Sequence, residues 1–250
     1  MRFQNQSIVI TGGNSGIGRA AATAFVEQGG NVAILGRNTA TVDETVQELG
    51  VLGQSCNVTD STSLTQFMSN VAAKNGPIDV LFANAGIAEF SSFEDHDPSH
   101  VRNVMDVNFF GILNTIAAAL PHLRDGASII LTTSIANQMG EPDTFAYAAS
   151  KAAVKSLIST LSREFSPRKI RVNAISPGPT ETPIFEKMGL VGDTFDQTKA
   201  ALSNMIPAGR MGKSADQVAA ILYLASRESS FVMGQEIVVD GGLTGCNAIA

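Results

Sequence analysis

The chain has no tryptophan, two tyrosines and two cysteines in 250 residues. Cys56 and Cys246 lie far apart in sequence and form neither a C-x-x-C pair nor a zinc-like spacing. No disulfide framework is expected, and a reduced, cytoplasmic setting is the plain reading. Charge is also sparse: 16% of residues are charged, with 17 basic against 23 acidic, giving a net charge of −6. A sequence pI of about 5.1 argues against nucleic acid or an anionic membrane as a general partner, so any basic site must be local. No segment approaches about 18 uninterrupted apolar residues, and "MRFQNQSIVIT" has too short an apolar run for a secretion signal. Repeats, low-complexity tracts and Pro/Ser-rich linkers are missing too, so residues 1–250 are expected to form a single domain.

What is present is ample apolar material, 44% of the chain, with a mean hydropathy of +0.13. It is arranged in short β-branched runs at 7–11, 31–35, 51–56, 78–83, 127–133, 170–176 and 235–240, separated by stretches of helical periodicity. Continuous apolar runs alternating with helices describe parallel strands buried on both faces. The fold class predicted is therefore α/β: a Rossmann-like, doubly wound parallel sheet of about seven strands with helices on both faces. Helix punctuation supports the reading. Asp60 is a cap, Asp97 followed by Pro98 is a cap with a first-turn proline, Ser214 with Gln217 fits a capping box, and Pro167 closes the helix begun near Phe145. Residues 177–211 break the alternation, which marks a binding loop or substrate lid.

The first strand runs into "TGGNSGIGRAAATAFVEQGG", with Gly12, Gly16 and Gly18 opening a helix. Glycine lets the backbone turn sharply and approach a pyrophosphate, and the helix N-terminus offers free N–H groups to its oxygens. The flanking strand and helix supply the context that a bare glycine triplet lacks. At the tip of the second strand, "ILGRN", a site preferring NAD would place Asp or Glu to bond the ribose 2′-hydroxyl. Here Arg37 follows Gly36. The missing carboxylate removes repulsion, and a guanidinium is well suited to clamp a 2′-phosphate, so NADP(H) is expected over NAD(H).

In "TFAYAASKAAVKSL", Tyr147 and Lys151 are spaced i, i+4 on one helix face. The pair is either helix packing or a site. A phenol is a poor acid/base near neutral pH unless a positive charge favours its phenolate. Lys151, one turn on, can supply that charge; Lys155, a turn further, is expected to be dispensable. Ser134 ends the fifth strand at the carboxyl edge, where open α/β sheets bind ligands. It is either a turn residue or a donor to a substrate oxygen.

The segments "TGGNSGIG" (11–18), "NAG" (84–86), "VNFFG" with Asn108, Ser134, "YAASK" (147–151), "RVNAISPGPTETP" (171–183) and "VDGG" (239–242) resemble, in order and spacing, the short-chain dehydrogenase/reductase family of about 250 residues. The resemblance covers nearly the whole chain. It implies that Tyr147 is the general acid/base and that Lys151 supports it and holds the nicotinamide ribose. It also implies that Ser134 shares the substrate oxygen, and that Asn108 kinks the 99–122 helix and carries a relay water. Cofactor contacts implied are Gly12, Asn14, Ser15, Gly16, Ile17, Gly18, Arg37, Asn57, Val58, Asn84, Ala85, Gly86, Tyr147, Lys151, Pro177, Gly178, Thr180 and Thr182. Two departures stand out: Asn57 replaces an acidic residue at the adenine contact, and Asn14 stands where many NADP-preferring members carry a base. A homotetramer or homodimer is also implied, with the 99–122 and 145–166 helices pairing across an interface. Ala148, Ala149, Ala152 and Ala153 would permit their close approach.

The function expected is NADPH-dependent reduction of a ketone or aldehyde, or its reverse. The substrate would sit among Ser134, Ile135, Asn137, Met139, Tyr147, Ile184, Phe185 and Met188, an apolar lining that favours hydrophobic ketones. Asn137, Gln138 and Glu141 leave NAD-dependent alcohol or sugar oxidation as an alternative. A 3-oxoacyl-(acyl-carrier-protein) reductase would need a basic patch from Lys187, Lys199, Arg210 and Lys213, although acids are interleaved there. The remote alternative is a non-catalytic NADP(H)-sensing protein. "GRMGKS" (209–214) lacks the first P-loop glycine and reads as a turn into a capped helix. "FEDHDPSH" (93–100) reads as a polar loop ending in a cap, with no metal expected.

Overall fold

Val, Ile and Leu in unbroken runs have no polar face to turn outward, so each run is buried in the middle of a layered sheet. The structure is a computed structural model that describes residues 1–187 and 191–246, apart from the side chains of residues 186 and 187. Its elements are β1 (Ser7–Thr11), α1 (Gly16–Glu27), β2 (Asn31–Gly36), α2 (Thr39–Leu49), β3 (Leu52–Ser55), α3 (Ser61–Asn75), β4 (Ile78–Ala83), α4 (Pro98–Met105), α5 (Gly111–Ala119), β5 (Leu123–Thr132), α6 (Phe145–Phe165), β6 (Arg171–Pro177), β7 (Thr180–Glu181), α7 (Ile184–Lys187), α8 (Gly192–Met205), β8 (Gly212–Lys213), α9 (Ser214–Ala225) and β9 (Glu236–Val239).

All seven expected strands form, in the order β3-β2-β1-β4-β5-β6-β9, and every pairing is parallel. The order reverses between β1 and β4, and the crevice at such a switch point is where open α/β sheets take ligands. Two apolar clusters cover the sheet. One gathers Leu64, Phe67, Ile112, Ile116, Val154 and Ile158 from α3, α5 and α6. The other gathers Ala21, Phe25, Ile221 and Leu224 from α1 and α9.

The helix expected over 99–122 is one continuous helical stretch, Pro98–His122, interrupted by a π-helical turn at Asp106–Phe110. That turn contains Asn108, so the expected irregularity is present and takes the form of a π-bulge. The stretch is long and apolar enough to cross a membrane by length and composition, but half of its most apolar window is buried in the protein. Packing against α3 and α6 accounts for its apolar side chains.

Two of the expected caps are present. Asp60 accepts from the Thr62 and Ser63 N–H groups at 3.1 and 3.0 Å, and Asp97 accepts from Ser99 N–H at 2.8 Å with Pro98 in the first turn. The Ser214/Gln217 capping box does not form. Lys213 is the N-cap, and its N–H donates to Asp216 at 2.6 Å. Arg210 grips the same carboxylate at 2.7 and 2.9 Å and holds its pKa down to about 2. A carboxylate so fixed outcompetes a hydroxyl for the helix end. Gln217, freed from capping, is buried and donates to the Thr180 hydroxyl and the Val239 carbonyl. The two-residue pair β7–β8 was not expected, since two residues carry no periodicity.

Candidate active site

The glycine turn is shaped by close approach. Gly12 adopts φ +67°, and a Cβ there would lie 3.1 Å from both Ala85 Cα and Asn84 Nδ2; a Cβ on Gly18 would meet the Gly12 carbonyl oxygen at 2.2 Å. Gly13, which the sequence reading passed over, needs its bare Cα for a different reason: a Cβ would sit 2.5 Å from Ile34. Ser15 is the extended N-cap of α1, its side chain makes no cap bond, and the first turn holds no acid. Ile17 follows in that turn. The helix end is therefore open to an anion. Thr182 lies across it, with Cγ2 3.2 Å from the Cβ position of Gly16, so the start of the 177–211 segment meets the glycine turn.

The residues at the strand ends are more heavily committed to the protein than the sequence suggests. Asn84 donates to the Thr11 carbonyl at 3.2 Å and accepts from the Thr132 hydroxyl at 3.1 Å. The Thr11 hydroxyl in turn accepts from the Asn84 and Ala85 N–H groups. Val58 is buried against Gly111, and the Asn57 side-chain oxygen accepts from Thr59 N–H at 3.2 Å. Asn14 donates to the Thr41 hydroxyl at 2.7 Å, whereas Arg37 is exposed. Gly178 packs on Asp240, with its N–H on the Val239 carbonyl at 3.0 Å, next to Pro177. The Thr180 hydroxyl donates to the Gly178 carbonyl at 2.8 Å.

Tyr147, Lys151, Ser134 and Asn108 come together at the carboxyl edge of β4 and β5. Lys151 is 3% exposed, and its ammonium donates to the Thr132 carbonyl at 3.0 Å. It lies 5.7 Å from the Tyr147 ring centroid. Gly86 separates Lys151 from Asn108, and a Cβ there would be 3.5 Å from Lys151 Nζ and 3.0 Å from Asn108 Oδ1. Asn108 accepts from Ile87 N–H at 2.8 Å and donates to the Ile87 carbonyl at 3.0 Å and the Ser150 hydroxyl at 3.1 Å. Ser150 then donates to the Tyr147 carbonyl at 2.7 Å. The π-bulge thus braces both the β4 exit and the turn that carries Tyr147.

Burial, not mutual charge, governs the ionisations here. Although the Tyr147 residue keeps partial exposure, desolvation pushes its phenol above the ordinary value, opposed by a hydrogen bond with Ser134. Desolvation also brings the Lys151 ammonium down to about 8. The lowering of the phenol expected from Lys151 is therefore not the governing effect, because both groups pay for leaving water.

The expected substrate residues divide. Ile135 is buried, Met139 is partly exposed, and Phe185 lies edge-on to Phe195 at 5.7 Å. Ile184 is partly exposed. Met188 lies outside the described residues. The Asn137 amide N–H donates at 2.7 Å to the nearly buried Glu236 carboxylate, a stronger acceptor than a neutral oxygen, while its amide oxygen is buried without a protein partner. A cavity of about 310 Å³ lies against Gln138, Met139, Leu243 and Thr244. Phe90, unmarked in the sequence because a single loop aromatic has no periodicity, sets its ring edge-on to Tyr147 at 5.6 Å. In the "FEDHDPSH" loop, His96 stacks on Phe93 at 5.6 Å, and His100 Nδ1 is 3.6 Å from Glu89.

Comparison with known proteins gives the same architecture. Residues 12–244 match a family model described as enoyl-(acyl carrier protein) reductase. A 3α-hydroxysteroid dehydrogenase from Mediterraneibacter gnavus is 33% identical over 96% of this chain and 98% of its own. A 3-oxoacyl-[acyl-carrier-protein] reductase from Thermotoga maritima is 36% identical over 97% and 99%. A short-chain dehydrogenase/reductase from Caenorhabditis elegans, solved with cofactor, superimposes with a TM-score of 0.92 at 30% identity, covering 99% of this chain and 98% of that one. With the parallel sheet, the glycine turn and a family match along nearly its whole length, the chain belongs to the short-chain dehydrogenase/reductase family, oxidoreductases that bind a nicotinamide cofactor.

Proposed function

We propose that this oxidoreductase is an NADPH-dependent carbonyl reductase acting on hydrophobic ketones or aldehydes. The observation that carries the reading is the convergence of Ser134, Tyr147, Lys151 and Asn108 on one edge of the sheet, beside a glycine turn whose close contacts leave no room for side chains. That turn and the acid-free start of α1 fit a dinucleotide pyrophosphate. When bound, the nicotinamide supplies the hydride. Tyr147 delivers a proton to the carbonyl oxygen, and its raised pKa keeps the phenol protonated, the form that reduction requires. Ser134 donates to the same oxygen as negative charge develops there. Lys151, held by the Thr132 carbonyl, keeps a positive charge near the phenol below pH 8 or so and bonds the nicotinamide ribose. Asn108 keeps Ile87 and Ser150 in place, and relay water at its remaining Oδ1 lone pair would connect Lys151 to solvent.

An exposed aromatic ring next to the phenol supports an apolar substrate: Phe90 is 42% exposed and lies edge-on to Tyr147 at 5.6 Å. The described parts of the 177–211 segment, residues 177–187 and 191–211, would lie over the cofactor end of the site, since Thr182 reaches the glycine turn and Lys199 of α8 is tied to Glu181 at 2.9 Å. Similarity to the Thermotoga reductase favours 3-oxoacyl thioesters as a second reading. Against it, Lys199 and Arg210, two of the four basic side chains of that patch, are already paired with Glu181 and Asp216. Exposed Phe110, Phe231 and Val238 support self-association through the helical and C-terminal-strand faces.

A screen of NADPH oxidation over cyclic and aryl ketones, acyclic ketones, sugars and a 3-oxoacyl thioester tests the assignment. Turnover highest on the ring ketones is the expected outcome, and activity confined to sugars or to the thioester would overturn it. Arg37→Ala tests the cofactor arm. Loss of one charge-assisted phosphate contact, worth about 1.5–3 kcal/mol, should weaken NADPH roughly 10- to 100-fold and leave NADH nearly unchanged. Equal weakening of both would remove Arg37 from the 2′-phosphate site.

A further inference from the structure

Glu236 opens β9, and its side chain is only 9% exposed. Its carboxylate accepts from Lys155 Nζ at 2.6 Å, the Thr133 hydroxyl at 2.6 Å and the Asn137 amide at 2.7 Å. The Thr133 hydroxyl also lies 2.8 Å from the Ile175 carbonyl, but it has one proton to give. The shorter bond to an ionised acceptor takes that proton. Thr133 precedes Ser134, and Asn137 closes the short 3₁₀ turn, Ile135–Asn137, that Ser134 caps. The carboxylate therefore holds the side chains of Thr133 and Asn137, one on each side of Ser134 in the chain.

Lys155 lies one turn beyond Lys151 on α6, the helix that carries Tyr147. Lys151 reaches the carbonyl of Thr132, while Lys155 reaches Thr133 and Asn137 through Glu236. Two successive lysines of one helix thus bind the same strand end to the helix bearing the phenol. A carboxylate with little exposure is expensive to desolvate, and an apolar side chain would often hold a sheet edge as well or better. Charge at this place is explained by what it orients.

We infer that the Glu236–Lys155 pair is a positioning device for the proposed reaction, fixing Ser134 relative to Tyr147 through Thr133 and Asn137. Lys155, a bystander on spacing alone, acts through Glu236 without touching the reacting atoms. The inference rests on the assignment of Ser134 and Tyr147 as the reacting pair.

Glu236→Gln and Lys155→Met should each lower kcat for ketone reduction about 10-fold with cofactor affinity unchanged, and Lys155→Arg should restore most of it. In a Ser134→Ala background, Glu236→Gln should have no further effect on kcat, because the device acts through that hydroxyl. An unchanged kcat in both single variants, or a further loss in the Ser134→Ala background, would overturn the inference. A second measurement needs no turnover. Without tryptophan, and with Tyr147 and Tyr223 the only tyrosines, tyrosinate absorbance resolves Tyr147 by difference from Tyr147→Phe. Glu236→Gln should shift its titration midpoint upward as the Ser134 hydrogen bond loosens. An unmoved midpoint sinks the inference even if no ketone is turned over, whereas a moved midpoint with an inactive wild type sinks the carbonyl-reductase reading and leaves the positioning role standing.

Discussion

Tyr147→Phe is expected to lower kcat for ketone reduction by about 100- to 10,000-fold, the range associated with losing a positioned general acid, while cofactor binding and folding persist. The substitution removes one hydroxyl and leaves the ring in its edge-on contact with Phe90 and the helix bonds around it unchanged. Ser134 remains and can still donate to the oxygen, so a small residual rate is expected, not zero. Steady-state kinetics together with a cofactor titration check this. A variant within a few-fold of wild type would assign the proton to another group. A variant that no longer binds cofactor would mean that the phenol holds the nucleotide more than it moves protons.

Lys151→Met should abolish activity and stabilise the protein. The wild-type ammonium is 3% exposed and falls from its unfolded value of 10.5 to about 8. That shift corresponds to about 3 kcal/mol disfavouring the folded state when the lysine is charged. Methionine removes the penalty but leaves the Thr132 carbonyl without its donor, at a cost of about 1–2 kcal/mol. A net gain of about 1–2 kcal/mol at pH 7 is the balance. The pH dependence follows from the same shift. A lysine depressed on folding contributes its stability above 10.5, and that contribution is lost as pH falls through about 8. Wild-type stability should therefore rise between about pH 8 and 10.5, and the Lys151→Met protein should lack this increment. Urea unfolding at pH 7 and pH 10 measures both. A variant less stable at pH 7 with an unaltered pH slope would show that the lysine is not buried as an ammonium. Reductase activity of the wild type should also decline as pH passes about 8, since the neutral amine no longer supports the phenol.

The stability gained by removing Lys151 and the charge retained at Glu236 have a common meaning. Both are buried ionic groups whose desolvation an apolar side chain would avoid, and both lie within bonding distance of the segment Thr132–Asn137. Sites that hold a reactive geometry commonly sacrifice stability in this way.

Much of this was legible in the chain itself, where the signal is local. Alternation of apolar runs with helical stretches determined the seven parallel strands, because a strand buried on both faces must be apolar throughout. Asp60 and Asp97 marked their helix starts because a cap acts on amides two or three residues away. The glycines and the i, i+4 pair of Tyr147 and Lys151 were visible because their geometry is set within one turn. The Ser214 cap was misread for a complementary reason: Arg210 fixes Asp216 from outside the helix, and no pattern within the helix reveals that.

Only the folded chain decided the rest. Glu236 meets Thr133 across 103 positions of sequence, and Phe90 meets Tyr147 through a loop with no periodicity. Asn108 takes its place through a π-bulge confined to Asp106–Phe110, which only the packed helix reveals. The sequence by itself determined which secondary elements form and which residue types stand at the sheet edge, because propensity, capping and periodicity act over a few residues. Tertiary structure decided which of those residues are buried together and what each bonds. Desolvation and charge pairing depend on neighbours that only the assembled sheet and its covering helices bring within about 3 Å of one another.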